Sequence, residues 1–432
     1  MANEFLAPLG FAALFALILL QVPIGIAMAI VGAGGYILAV GIEPAMSVLA
    51  SAPLRTAADP ALALLPLFIL MGVAAFRSGI SDRLFEAGRN TFGHHRGGLA
   101  LSTIAASAGF AAICGSSAAG AATMTRIALP PMRAAGYADG PAAATIAVGG
   151  TLGILIPPSV ALAIYGVLTE QDIGKLFVAG LVPGLMAVVM HMLVIQIMAR
   201  CNPESLPRSA RVGWSERLAS YAQIWPVALI FLFVLGGMYL GFFTPSEAAA
   251  MGAIFTILLG FIRGHLPLRA IWETLTETCR TSAAIFMILI GAVIFGYFLA
   301  ITGAPYAIAT WISNLPLSPL AVLVVILALY LVLGCFLDSL AMIVLTVPII
   351  FPVTQQMGYD PIWFGVLTVI TIEMGLITPP IGLNVFVIKS MERNLRLGQV
   401  FASIVPFIAM DLFRLALLVA FPILVLWLPN SM

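Results

Sequence analysis

Stretches of about 20 apolar residues follow one another along this chain, each long enough to cross a bilayer as one helix. Ten qualify, near residues 5 to 20, 23 to 40, 60 to 76, 140 to 168, 174 to 199, 219 to 241, 247 to 263, 283 to 302, 362 to 388 and 397 to 428. Inside lipid every backbone N–H and C=O needs a partner within the protein, which leaves helices as the economical way across. Two further apolar regions, 97 to 135 and 318 to 356, are interrupted at Cys114-Gly115-Ser116-Ser117 and at Phe336-Leu337-Asp338-Ser339. The arm before the first interruption is about 15 residues, short for a crossing. Each region fits either two ordinary helices or one re-entrant hairpin whose tip stays inside the membrane. Composition agrees: 62% of the 432 residues are hydrophobic and 9% charged, too few charges to cover a water-soluble surface. The fold class is an all-α polytopic membrane protein. A net charge of +1 argues against nucleic acid as a partner, because phosphate binding needs clustered basic surface.

Basic residues choose between the hairpin readings, since cytoplasmic loops carry excess Lys and Arg. If both interrupted regions are hairpins, the loops at 77 to 96, 123 to 139, 200 to 218, 263 to 280 and 389 to 396 share one side and hold 16 of the 19 basic residues. The segments at 242 to 246, 303 to 317 and 357 to 361 then lie opposite and hold none. That bias predicts both chain ends outside and the five basic loops in the cytoplasm. Met1 to Glu4 lacks a basic n-region, and residues 5 to 20 run on without an A-x-A-like cleavage site, so the first helix is expected to stay. Arg-bearing amphipathic stretches at 80 to 96 and 266 to 281 are expected along the interface. The cysteines Cys114, Cys201, Cys279 and Cys335 show no CxxC spacing and read as free thiols.

A constant offset of 222 residues relates the two halves of the chain. Pro157-Pro158 matches Pro379-Pro380, Gly153 matches Gly375, Ser117 matches Ser339, Pro130 matches Pro352, Gly136-Tyr137 matches Gly358-Tyr359 and Pro23 matches Pro245. Five full spans separate equivalent points, and an odd number of crossings reverses orientation. Residues 1–210 and 219–432 are therefore predicted to be inverted repeats, each with a hairpin (97–135, 318–356) and a broken helix (140–168, 362–388). Inverted repeats with interrupted helices typify secondary transporters, which bind substrate and ion at the breaks. Proline removes a backbone donor and clashes with the preceding turn, so each Pro-Pro pair must unwind its span. Bound cations would satisfy the carbonyls that unwinding frees.

The polar residues at these interruptions are the candidate site. Asp338 stands in an apolar run, where a carboxylate at membrane depth costs roughly 2.5–3.5 kcal/mol. It fits a sodium ligand, an N-cap for the helix that follows, or both. Ser116, Ser117 and Ser339 offer oxygen ligands suited to a hard cation. Glu373, before the second break, fits either an ion-linked carboxylate or a partner for freed backbone groups, and Thr151 is its counterpart in the first half. Thr378 and Asn384 flank the unwound turn. Arg126 fits a contact for an anionic substrate or a positive-inside anchor, and Asp411 with Arg414, at i and i+3, an internal ion pair.

GGTLGILIPPS (Gly149 to Ser159), GSSAAGAATM (Gly115 to Met124), FLDSLAMIVLTVPII (Phe336 to Ile350) and EMGLITPPIG (Glu373 to Gly382) resemble the large membrane subunit of TRAP (tripartite ATP-independent periplasmic) transporters of the DctM/SiaM kind. The resemblance covers nearly the whole chain. It implies an elevator-type fold like that of the ion transporter superfamily, and sodium-driven import of an organic acid such as a C4-dicarboxylate or a sugar acid. It also implies a periplasmic binding protein that delivers the substrate, a separate four-helix small membrane subunit, a bacterial inner-membrane location, and no cofactor beyond the coupling sodium ions. Sodium sites would include Ser116, Ser117, Gly153, Pro157, Asp338, Ser339, Gly375, Thr378 and Pro379. The substrate vestibule would include Arg126, Thr151, Ser159, Glu373 and Asn384. The rival of nearest kind is a stand-alone sodium/dicarboxylate symporter of similar architecture. A channel is disfavoured by the absence of a TVGYG-like filter, an ATP-driven pump by the absence of GxxxxGK[ST], and an intramembrane enzyme by the absence of an HExxH or Ser/His constellation in the spans.

Overall fold

The structure is a computed structural model that describes residues 5–209, 211–313 and 316–432. Met1 to Glu4 and part of the 303 to 317 segment, about which the sequence makes predictions, lie outside those residues. The described residues form helices and no strand. In the first half these are α1 (Leu6–Leu19), α2 (Ile24–Val40), α3 (Ile42–Ala58), α4 (Leu64–Arg77), α5 (Ile80–Phe92), α6 (Gly98–Cys114), α7 (Ser117–Ala134), α8 (Asp139–Leu155), α9 (Val160–Thr169) and α10 (Ile173–Cys201). In the second they are α11 (Trp214–Tyr239), α12 (Pro245–Ile262), α13 (Leu268–Thr302), α14 (Ala304–Ser313), α15 (Pro319–Gly334), α16 (Ser339–Gln356), α17 (Pro361–Gly375), α18 (Leu383–Met391), α19 (Leu397–Ala420) and the short α20 (Ile423–Leu426). Eight candidate spans are long and apolar enough to cross a membrane, one of them running through the break between α8 and α9. Large apolar side chains such as Leu19, Leu232, Phe242, Ile262, Val325 and Phe413 lie more than half exposed, a surface that lipid, not water, would cover.

Local chemistry sets the helix ends. Thr244 and Glu247 make a reciprocal capping box at α12, and Asp172 caps α10. Ser318 before Pro319 and Asp360 before Pro361 combine a cap with proline in the first turn, where its missing N–H costs nothing. α7 and α16 have 18 residues each and begin at Ser117 and Ser339, so the 222-residue register persists through both hairpins.

Three features depart from the sequence reading. α3 is a helix of 17 residues carrying Glu43, Pro53 and Arg55, in a stretch that the apolar spans leave unassigned. The stretch at 266 to 281 does not lie apart along an interface: it runs directly into the next span as the single 35-residue α13. The other amphipathic stretch becomes α5, whose Ile80, Leu84, Phe85 and Ala87 are buried against α6 and α11. Its apolar stripe meets protein where lipid was expected.

Helices α1, α2, α4, α12 and α13 pack on one another, with α2 against α13 and α4 against α12. A second group is centred on α8, which touches α6, α7, α10, α17, α18 and α19 and is buried along almost its whole length. Hairpin α6–α7 lies on α8, and hairpin α15–α16 lies on α17 and α9.

Candidate functional site

Both hairpins end inside the protein, at the wall of one cavity of about 500 Å³. The first tip contributes Gly115, Ser116 and Ser117, the second Asp338 and Ser339, and α7 adds Arg126. Ile154 and Leu376 come from the two breaks and Asn384 from the start of α18. The opposite wall belongs to the other helix group: Ile69, Val73 and Phe76 of α4, and Glu277, Ile285 and Ile288 of α13. The cavity therefore sits between the two groups.

Glycines let the tips approach the breaks. A Cβ on Gly153 would stand 2.9 Å from the Ser116 carbonyl oxygen, and one on Gly375 would stand 2.6 Å from the Gly334 backbone, so any side chain there would displace a hairpin. Ser116 caps α7, its Oγ accepting from the Ala119 amide at 3.4 Å. Asp338 caps α16, Oδ1 accepting from the amides of Leu340 and Ala341 at 3.0 and 3.1 Å. The cap expected of Asp338 is thus present and uses one oxygen. Oδ2 and the Ser339 hydroxyl, both half-buried, make no hydrogen bond among the described residues. Ser116 and Asp338 stand 222 residues apart, one neutral cap and one charged cap at equivalent places.

At the breaks, protein groups take several of the freed carbonyls that cations were expected to take. The Ser159 hydroxyl donates to Ile154 O and accepts from the Leu162 amide. In the second break the Asn384 backbone amide donates to Leu376 O, and the Thr378 hydroxyl adds a second bond to Met374 O, which the Ile377 amide already reaches. Both Pro-Pro bonds are cis. The first break is wholly buried, whereas Pro379, Pro380 and Ile381 are exposed.

The remaining candidates divide. Thr151 is buried and donates to Val148 O at 2.7 Å, and Ser159 is spent on its own break, so neither lines the cavity expected of a vestibule. Glu373, 2% exposed, turns away from the cavity toward Arg414 at 3.5 Å. Asn384 reaches the first hairpin: Ser117 Oγ donates to Oδ1 at 2.8 Å, and Nδ2 donates to Ala147 O at 3.0 Å. Arg126 is exposed, lies 5.6 Å from the Phe76 ring centroid, and pairs with no carboxylate among the described residues. Glu277, the other acidic wall residue besides Asp338, is held by Arg77 at 2.8 Å, which also binds Glu273 at 2.9 Å. The sequence reading missed Glu277 and Phe76 because they lie on helices remote in the chain. The only available signal was the charge in the 266 to 281 stretch.

Replacing Asn384 with Ala leaves the buried Ser117 Oγ without its side-chain partner and removes a second bond to Ala147 O, a loss of about 1–3 kcal/mol. Its expected signature is a lower unfolding midpoint in detergent that is non-additive with Ser117→Ala in a double-mutant cycle. Additive effects would mean that the two side chains do not act together.

Residues 11–424 match the family model described as the tripartite ATP-independent periplasmic transporter, DctM component. The C4-dicarboxylate TRAP transporter large permease protein DctM of Pseudomonas aeruginosa is 37% identical over 367 residues, 85% of either chain. The sialic acid TRAP transporter permease protein SiaT of Haemophilus influenzae is 32% identical over 366 residues, covering 84% of this chain and 59% of that one. Among solved structures, the Alcanivorax borkumensis YdaH transporter superposes with a TM-score of 0.65 over 89% of this chain and 88% of that one, at 15% identity, a likeness of fold. A match that spans nearly the whole length, together with an all-helical architecture built to cross a membrane, places the chain in the tripartite ATP-independent periplasmic transporter family, as a DctM-type large permease and not an enzyme.

Proposed function

We propose that this permease imports an organic acid by sodium-coupled elevator motion, taking the substrate from a periplasmic binding protein and working beside a small membrane subunit. In this reading the α1, α2, α4, α12, α13 group is the scaffold and the hairpins with the broken helices are the moving domain. The observation that carries it is the shared cavity: two polar hairpin tips, one bearing a carboxylate, face a mostly apolar wall contributed by the other group. Sodium, as a co-transported substrate, fits the free Asp338 Oδ2 and the hydroxyls of Ser116 and Ser339, hard oxygen donors on a half-buried surface. The breaks themselves offer less, because several of their carbonyls are already bonded. Arg126, unpaired in the same cavity, is the group to meet the substrate's anionic end. A dicarboxylate, a sugar acid and related acids all satisfy that chemistry. The runner-up, a stand-alone symporter, is tested by deleting the binding protein: uptake is expected to vanish.

Charge supports an orientation with the basic loops cytoplasmic, the multi-pass chain lying in the inner membrane. Single cysteines at Ser209 and Tyr306, in a background lacking the native four, are expected to label from opposite sides, with position 209 cytoplasmic. Labelling of both from outside would sink the two-hairpin topology.

Sodium coupling is tested at Asp338. Asp338→Asn keeps size and capping geometry but removes the charge, and is expected to raise the half-saturating sodium concentration for uptake several-fold while the protein melts as wild type does. Asp338→Ala loses the cap as well, at about 0.5–2 kcal/mol. Unchanged sodium dependence in Asp338→Asn excludes this carboxylate from the ion site, and full uptake with potassium in place of sodium excludes the mechanism.

A further inference from the structure

Four ionisable side chains meet in the interior, and none lines the cavity: His191 of α10, Glu373 of α17, and Asp411 and Arg414 of α19. Each is at most 2% exposed. Asp411 Oδ1 lies 2.9 Å from His191 Nε2 and 3.1 Å from Arg414 Nη2, and the same Nη2 lies 3.5 Å from Glu373 Oε2. Glu373 Oε1, Arg414 Nε and His191 Nδ1 are buried with no hydrogen-bond partner. Burying such a set costs several kcal/mol per ion, and well-packed apolar residues would fill the same space more stably, so stability alone does not explain its presence.

Placement supplies a reason. Arg414 Nη1 donates to Pro183 O at 3.5 Å, in the turn of α10 where Gly180 and Gly184 back onto Leu155 and Ile156 of the first break. Its other nitrogen reaches Glu373, two residues before Gly375 at the end of α17, where the second break begins. One guanidinium thus touches the support of the first break and the last turn before the second. Its orientation is fixed from behind by Asp411, which His191 holds in turn. The positions 222 residues away from Glu373, Asp411, Arg414 and His191 are Thr151, Val189, Met192 and Phe413, none of them charged. The cluster therefore occurs once, and it joins the two halves of the chain.

We propose that Arg414 is a positioning residue that fixes the spacing of the two breaks, through Pro183 on one side and Glu373 on the other, so that a cation bound beside one hairpin tip favours binding beside the other. The proposal rests on the assignment of sodium to the tips. Coupling of this kind is a free energy shared between sites. It needs a rigid connection, and the connection must be weaker when one arm is cut.

The test is sodium activation of uptake by the reconstituted complex of permease, small subunit and binding protein. Wild type is expected to give a sigmoidal curve with a Hill coefficient above one. Glu373→Gln takes the charge out of the arm to the second break and leaves only a neutral acceptor there, so it is expected to bring the Hill coefficient toward one and to raise half-saturating sodium about five-fold, the low end of typical couplings. Melting in sodium-free buffer and the substrate KM at saturating sodium are expected to stay as in wild type, a split that a merely structural defect would not give. Should Glu373→Gln fail to fold, Glu373→Asp keeps the charge, shortens the reach by one carbon, and is expected to shift the curve in the same direction. A sigmoidal wild-type curve unchanged in both variants overturns the proposal. Sodium-independent uptake by wild type overturns the sodium assignment beneath it.

Discussion

Everything particular about this permease follows from breaking helices where lipid forbids unpaired backbone. A Pro-Pro pair inside a span frees carbonyls at a depth where each unsatisfied group costs several kcal/mol. The chain answers close by: the Ser159 hydroxyl on Ile154 O and the Asn384 backbone amide on Leu376 O. With those groups satisfied, a helix can stop at depth and a new one start. Hairpin tips then have a surface to dock on, at Gly153 and Gly375. The cavity is the space left between those tips and the helices α4 and α13, which pack on the other helix group.

What the sequence discloses is what depends on near neighbours in the chain. Pro157-Pro158 and Pro379-Pro380 announce their breaks because proline acts on its own turn. The tips announce themselves because Ser116 and Asp338 cap helices that begin at the next residue. The ion pair of Asp411 and Arg414 follows from a spacing of three on a helix. By contrast, the bond between Ser117 and Asn384 joins residues 267 apart, and no periodicity reports it. Apolar spacing tells that Glu373 sits in a buried helix but not which neighbour it faces, so its turn toward Arg414 had no local signal. The same limit explains α5: an amphipathic stripe calls for an apolar partner, and lipid and protein satisfy it equally well.

The two tips are equal in geometry and unequal in charge, and on the proposed sodium-coupled reading that inequality bears on how one cavity would serve ions of both signs. A helix N-terminus carries about half a positive charge from its free amides. At α16 the Asp338 carboxylate more than offsets it, so the second tip is a negative end with one oxygen to spare. At α7 the cap is a hydroxyl, the partial charge is left standing, and Ala118 and Ala119 of that first turn line the cavity. Arg126 lies nine residues beyond Ser117, roughly 13 Å along the same helix, and adds a full positive charge on that wall. The first hairpin therefore presents a positive face and the second a negative one, in a gap closed by the mostly apolar wall of α4 and α13, whose Glu277 is held by Arg77. In the sodium-coupled reading, substrate anion and cation then lie beside different hairpins of one low-dielectric space, where each stabilises the other far more than it would in water. That mutual stabilisation is what coupled transport requires, because neither charge alone is then held in the cavity as well as the two together.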